Sequence, residues 1–119
     1  MQCGASMSGM DIVLQPIGWV HALDKIDSGK EDYWGDVISE IRLASHFSSD
    51  ALAGLAEFSH IEVLFHLHSV EPASVVMGRR HPRGNPEWPV VGIFAQRAKA
   101  RPNRIAATIC ELLSVEGLY

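Results

Sequence analysis

Four bases, Arg97, Lys99, Arg101 and Arg104, fall within eight residues of the segment GIFAQRAKARPNRI (92–105), directly after an apolar run and around a Pro-Asn turn. Bases at this density suit three kinds of surface: a solvated loop, a patch for phosphate or nucleic acid, or one wall of a small-molecule site. A second cluster, RRHPRGNP (79–86), sets Arg79, Arg80, His81 and Arg83 beside Gly84, whose missing Cβ lets backbone N–H groups approach an anion. The two clusters together hold six arginines and one lysine. Arginine offers a planar fork for carboxylate or phosphate and a face for stacking, so this ratio favours shaped recognition over a diffuse basic surface.

A third candidate is SHIEVLFHLHSV (59–70), the clearest alternation in the chain. Ile61, Val63, Phe65 and Leu67 point one way, and His60, Glu62, Leu64, His66 and His68 point the other. Histidines two apart on a strand can share a metal, with Glu62 as an oxygen ligand. His60 lies about 26 Å from His68 along an extended strand, so only His66 and His68 remain as a pair. Half-buried structural histidines, or histidines lining a polar cleft, fit the face as well, and no metal site is expected.

These clusters must be held by a modest scaffold. At 119 residues the chain is the size of one domain. Its net charge of −4 conceals an asymmetry. Residues 1–57 carry nine acids and three bases, whereas residues 79–104 carry seven bases and one acid, Glu87. Either the basic half makes a local positive field or the two halves pair with each other. No apolar run approaches the roughly 20 residues that span a bilayer, so no membrane role is expected. The opening MQCGASMSGM has neither the basic nor the apolar region of a secretory signal and reads as a flexible tail over residues 1–10. Cys3 and Cys110 make neither a disulfide framework nor a zinc site, which suits a reducing cytoplasmic setting.

Along the chain, residues 11–23 read as a strand with Pro16 at an edge or bulge, 24–36 as a loop, and 37–43 as a half-buried strand. Residues 48–58 read as a short helix capped by Ser48, Ser49 or Asp50, with Leu52, Leu55 and Phe58 on one stripe. Residues 71–88 are loop material and 89–97 a strand. Residues 104–117 suit either a helix or a strand by periodicity alone. No G-x-G-x-x-G, P-loop or G-x-S-x-G fingerprint occurs. The residues by themselves describe a small, mainly β domain with an Arg-rich polar cleft.

Three segments in combination are more specific: FSHIEVLFHLH (58–68), HPRGNPEWPVVGIFAQR (81–97) and ARPNRIAATICELLSVEG (100–117). Their Phe-Ser-His-Ile, His-Pro-Arg-Gly, Gly-Ile-Phe-Ala-x-Arg and Arg-Pro-Asn-x-Ile elements, in this order, resemble the TrmO family, also called YaeB/TsaA-like or VirR-like. PIGWV (16–20) resembles the family's opening strand, so the likeness spans residues 12–117. It implies a single small β-barrel with one short helix over residues 11–119, a homodimer, and S-adenosylmethionine as cofactor. It also makes 104–117 a strand. The implied activity is methylation of the exocyclic amine of threonylcarbamoyl-adenosine next to a tRNA anticodon. Two other readings stay open: an S-adenosylmethionine-binding module that transfers no methyl, and a methyltransferase for another small anionic substrate.

Matched residue by residue, the resemblance implicates Phe94, Ala95, Gln96 and Arg97, then Arg101, Pro102, Asn103 and Ile105, then His81, Pro82 and Gly84, with His66 nearby, in cofactor binding. Phe94 is the candidate to stack on adenine and Arg97 or Arg101 to take the methionine carboxylate. Arg79, Arg80, Arg83, Lys99 and Arg104 are the candidates for RNA phosphates. No residue stands out as a catalytic base. Arg104 and Ala106 replace the Pro and Gly that many members carry in this turn. Family members continue into further barrel strands and an Asp-Gly-Thr-Pro type motif, so the barrel is expected to be incomplete within these 119 residues.

Overall fold

The computed structural model describes Gly9, residues 11–23 and residues 37–119. The expected tail (apart from Gly9) and the 24–36 loop lie outside the described residues. The chain divides into two compact units, residues up to Ala56 with Ser114–Tyr119, and Glu57–Leu113.

In the first unit β1 (Gly18–Ala22) pairs antiparallel with β2 (Ser39–Leu43), from Gly18 opposite Leu43 to Ala22 opposite Ser39. The strand expected over 11–23 is confined to its second half. Pro16 has no N–H to give a ladder, and residues 11–17 adopt no regular structure. Gly18 is required where β1 begins, because a Cβ there would meet the Arg42 carbonyl oxygen at 2.6 Å. The Leu43 N–H donates to the Leu118 carbonyl at 2.9 Å, which adds the last residues to this unit. Arg42 Nε donates to Glu40 Oε1 at 2.6 Å, and this bond to a carboxylate holds the guanidinium above its ordinary pKa. The helical expectation over 48–58 is met by two successive 3-10 segments, Ser49–Leu52 and Leu55–Glu57. Gly54, at φ +82°, separates them, since a right-handed turn cannot run through that conformation. Phe58 stands exposed and does not join the Leu52–Leu55 stripe.

In the second unit β3 (His60–His66) pairs antiparallel with β6 (Ile105–Glu111), from His60 opposite Glu111 to His66 opposite Ile105. The period-two pattern holds through the strand: Ile61, Val63 and Phe65 are half-buried and the residues between them exposed. The outer face carries Leu64 and Ile109, 72% and 73% exposed. Pairing with β3 settles residues 104–117 as strand up to Glu111, where the helical alternative would have left β3 without a partner. Two-residue strands β4 (Arg79–Arg80) and β5 (Val91–Gly92) also pair antiparallel. The strand expected over 89–97 stops at Gly92 and turns into a 3-10 segment, Ile93–Ala95. Ile93, 1% exposed, is the anchor of this region, and its N–H donates to the Gly78 carbonyl at 2.8 Å.

The architecture is therefore mainly β with short helical turns. Among the described residues the sheets are three separate two-stranded ladders, and no closed barrel is present. No helix among them is long and apolar enough to cross a membrane.

Candidate functional site

Two Pro-led turns of the same build flank the candidate site. In the first, the Gly84 N–H donates to the His81 carbonyl at 3.0 Å, with Pro82 second and Arg83 third, at φ +55°. In the second, the Arg104 N–H donates to the Arg101 carbonyl at 3.0 Å, with Pro102 second and Asn103 third, at φ +64°. Proline presets the second position of a tight turn, and a left-handed third position is what a type II turn requires. In both cases the fourth residue is left-handed too, Gly84 at φ +68° and Arg104 at φ +51°. Glycine accepts that conformation without cost, and Arg104 does not. Proline, locked near −65°, could not stand at position 104 in this turn.

Hydrogen bonds over long sequence separations hold these turns to the strands. Gln96 Nε2 donates to the carbonyls of Arg80 (3.3 Å) and Val91 (3.2 Å), which face each other across β4 and β5. One Arg97 guanidinium nitrogen donates to the Ala107 carbonyl on β6. Arg104 Nη1 donates to the Val70 carbonyl at 2.7 Å, and the Arg104 carbonyl accepts from the Leu67 N–H at 2.8 Å. Val76 N–H donates to the Ala100 carbonyl at 2.8 Å. Adjacent residues 96 and 97 thus tie the short β4–β5 ladder to the long β3–β6 ladder.

The expected site residues fall into two groups on this frame. Arg79, Arg80, His81, Pro82, Arg83 and Gly84 lie on β4 and the turn that follows it, with Gln96 across the ladder. His66 lies opposite Ile105, next to the turn formed by Arg101, Pro102, Asn103 and Arg104. Phe94 and Ala95 follow the buried Ile93 and are exposed, Phe94 at 76%. Arg97 and Lys99 are exposed, and Arg101 is half-buried. His68 leaves the histidine face: the strand ends at His66, and the His68 N–H turns back to the His66 carbonyl at 3.0 Å. The His66–His68 pair therefore does not form on one strand. No group of three His, Cys, Asp or Glu is gathered for a metal among the described residues.

The tautomer of His81 follows from its partner. Its Nδ1 lies 2.7 Å from the Trp88 carbonyl, which can only accept, so Nδ1 carries the proton. In the neutral ring Nε2 is then the acceptor. Two polar atoms in this region are buried without a hydrogen-bond partner, Arg80 Nε and Gln96 Oε1. The Gln96 amide cannot be turned over to help, because Oε1 would then face two carbonyl oxygens. Sequence reasoning missed Val70 and Trp88 as partners in this frame. Both act through backbone carbonyls, which leave no residue-type signal.

An exposed aromatic ring beside a buried anchor and guanidinium groups on two hydrogen-bonded turns, carried by a mainly β domain, are groups whose chemistry suits an organic anion or nucleotide-like ligand. Residues 30–119 match the tRNA-methyltransferase O N-terminal domain, and the chain belongs to that family. It is 36% identical over 112 residues to a Methanothermobacter thermautotrophicus protein named probable S-adenosyl-L-methionine-binding protein, covering 90% of this chain and 75% of the relative. It is 32% identical over 107 residues to an S-adenosyl-L-methionine-binding protein of Archaeoglobus fulgidus, covering 88% and 73%. To the tRNA (adenine(37)-N6)-methyltransferase of Escherichia coli it is 36% identical over 75 residues, covering 61% of this chain and 31% of that enzyme.

Proposed function

We propose that the chain binds S-adenosylmethionine and methylates the N6 position of adenine 37 in tRNA, with threonylcarbamoyl-adenosine as the acceptor nucleoside. The observation that carries this reading is that the segments matching the family are fastened to one another: Gln96 to Arg80 and Val91, and Arg97 to Ala107. The donor set suits the cofactor chemically. Phe94 offers an uncovered aromatic face to adenine. Arg97 and Arg101 offer guanidinium groups to a carboxylate. Ala95, Pro102, Asn103, Ile105, His81, Gly84 and His66 complete the proposed cofactor residues, and Arg79, Arg80, Arg83, Lys99 and Arg104 the phosphate-facing ones.

When bound, the cofactor would supply a methyl on a sulfonium for the acceptor nitrogen, with Phe94 against its adenine and Arg97 or Arg101 on its carboxylate. The residues of this chain contribute position. Rigid turns and the Gln96 clasp fix the Arg97 and Phe94 backbones, and alignment of the reacting atoms is the largest lever available for so reactive a donor. The single barrel domain over residues 11–119, the homodimer and the cytoplasmic setting are proposed on the same basis. The exposed Leu64 and Ile109 supply apolar surface for a second copy.

A second reading has its own support. The two relatives matched over about nine-tenths of this chain carry names that state S-adenosyl-L-methionine binding and no transfer. Calorimetric titration with S-adenosylmethionine, followed by analysis of modified nucleosides in tRNA incubated with the protein, separates the readings. Binding with methyl incorporation supports the enzyme, binding alone supports the module, and no binding by the folded chain removes both.

A further inference from the structure

The loop from His81 to Trp88 is closed on itself. The His81 carbonyl accepts from Gly84 N–H at 3.0 Å and the Pro82 carbonyl from Asn85 N–H at 3.0 Å. Asn85 Oδ1 accepts from Glu87 N–H at 3.0 Å, and the Asn85 carbonyl from Trp88 N–H at 3.2 Å. The Trp88 carbonyl then accepts from His81 Nδ1–H at 2.7 Å, which joins the last residue of the loop to the first. Trp88 is held by this ring of bonds at both its backbone N–H and its carbonyl. It is 43% exposed, a large share for a residue type that is usually well covered.

The residues that accompany Trp88 in sequence bear on which partner it suits. Arg79, Arg80 and Arg83 precede it within ten residues, and Glu87 is the one acid of the stretch. An aromatic anchor for a protein partner sits in a desolvated pocket ringed by neutral contacts. This loop is made of His, Pro, Arg, Gly, Asn and Glu, with little apolar surface beyond the ring itself. A rigidly presented aromatic face among guanidinium groups is instead the combination that takes single-stranded nucleic acid, the ring stacking on a base and the cations following the backbone.

We propose that Trp88 is a stacking platform for an unpaired base of an RNA loop, presented by the self-bonded segment 81–88, with Arg79, exposed on the strand that leads into that segment, supplying positive charge for its phosphates. The choice of an anticodon loop as that RNA rests on the proposed tRNA function; the contact itself needs only an unstacked base. The ring acts as a substrate-holding surface separate from Phe94, which is assigned to the cofactor.

The test is fluorescence anisotropy of a labelled anticodon stem-loop RNA with wild-type protein, Trp88→Ala and Trp88→Phe, beside calorimetry with S-adenosylmethionine on the same samples. The expected result is a loss of about tenfold or more in RNA affinity for Trp88→Ala, near-wild-type affinity for Trp88→Phe, and unchanged cofactor affinity in both. Equal RNA affinity in Trp88→Ala overturns the proposal. So does a parallel loss of cofactor binding in both variants, which would make Trp88 a support of the fold. A change in sedimenting mass on substitution, with RNA affinity unchanged, would assign the ring to a protein interface and also overturn it. Wild-type protein that binds the cofactor but no RNA removes this proposal and leaves the cofactor reading intact. An RNA series as expected without cofactor binding removes the proposed function and leaves this contact standing.

Discussion

Gln96 and Arg80, sixteen residues apart in sequence, are joined side chain to backbone: the Gln96 amide nitrogen donates to the Arg80 carbonyl at 3.3 Å. The same nitrogen donates to the Val91 carbonyl at 3.2 Å, so one amide group bridges both strands of the β4–β5 ladder. A ladder of two residues per strand has little stability of its own, and this clasp holds its end together. Gln96→Ala removes two hydrogen bonds and is expected to lower unfolding stability by about 1–3 kcal/mol. Gln96→Glu, nearly the same size, sets a carboxylate oxygen against two carbonyls and is expected to cost more than Ala. Urea unfolding of the two variants checks the order; equal losses would mean that the side chain only fills space.

Phe94 separates binding from folding. Because its ring is 76% exposed, Phe94→Ala is expected to change stability by no more than about 0.5 kcal/mol. If the ring stacks on the cofactor adenine, the affinity for S-adenosylmethionine falls about tenfold, roughly 1.4 kcal/mol. Thermal unfolding and calorimetric titration of one sample measure both.

Arg97 is held at one nitrogen by the Ala107 carbonyl, which orients the rest of its planar group. Arg97→Ala is expected to weaken cofactor binding at least tenfold. Arg97→Lys is expected to recover little, since an ammonium cannot bond the carbonyl and a carboxylate through one planar fork. Full recovery by lysine would assign the residue to bulk charge alone.

The turn at 101–104 places two consecutive residues other than glycine in the left-handed region. Asn103→Gly is expected to be nearly neutral, and Asn103→Val to cost about 1–2 kcal/mol. Arg104→Pro is expected to be worse than either. It forbids the +51° φ, removes the N–H that donates to Arg101 and removes the guanidinium bond to Val70. Denaturant midpoints for the three variants provide the comparison.

Gly18 lies in the first unit. Gly18→Ala is expected to destabilise it by about 1–3 kcal/mol, because the added methyl meets the Arg42 carbonyl of the paired strand, which has no rotamer to move aside. Differential protection of β1 and β2 amides in hydrogen exchange would locate the loss in that unit.

Much of the local structure is legible in the residues themselves. The alternation from Ile61 to Phe65 identified β3 because burial of one face imposes a period of two. The dipeptide Pro102-Asn103 marked a tight turn because proline fixes one backbone angle and asparagine tolerates the left-handed one that follows, whereas residues 81–84 were legible only as loop. The boundaries were less legible. β1 lost its first half at Pro16, and β5 stopped at Gly92 although the apolar run continues through Phe94. A strand ends where its partner's ladder ends, and the partner's length is not written in the strand's own residues.

The sequence by itself determined the residue types of the candidate site, the Pro-Asn turn that carries some of them and membership of the family. Each of these rests on local sterics or on side-chain chemistry. Tertiary structure alone decided which of those residues meet. The register of β3 on β6 sets His66 against Ile105 beside the second turn. The reach of Gln96 to Arg80 and Val91, and of Arg97 to Ala107, fastens that ladder to the first turn's strand. Such pairings join residues far apart in the chain through backbone carbonyls, which every residue possesses and no composition or period reveals.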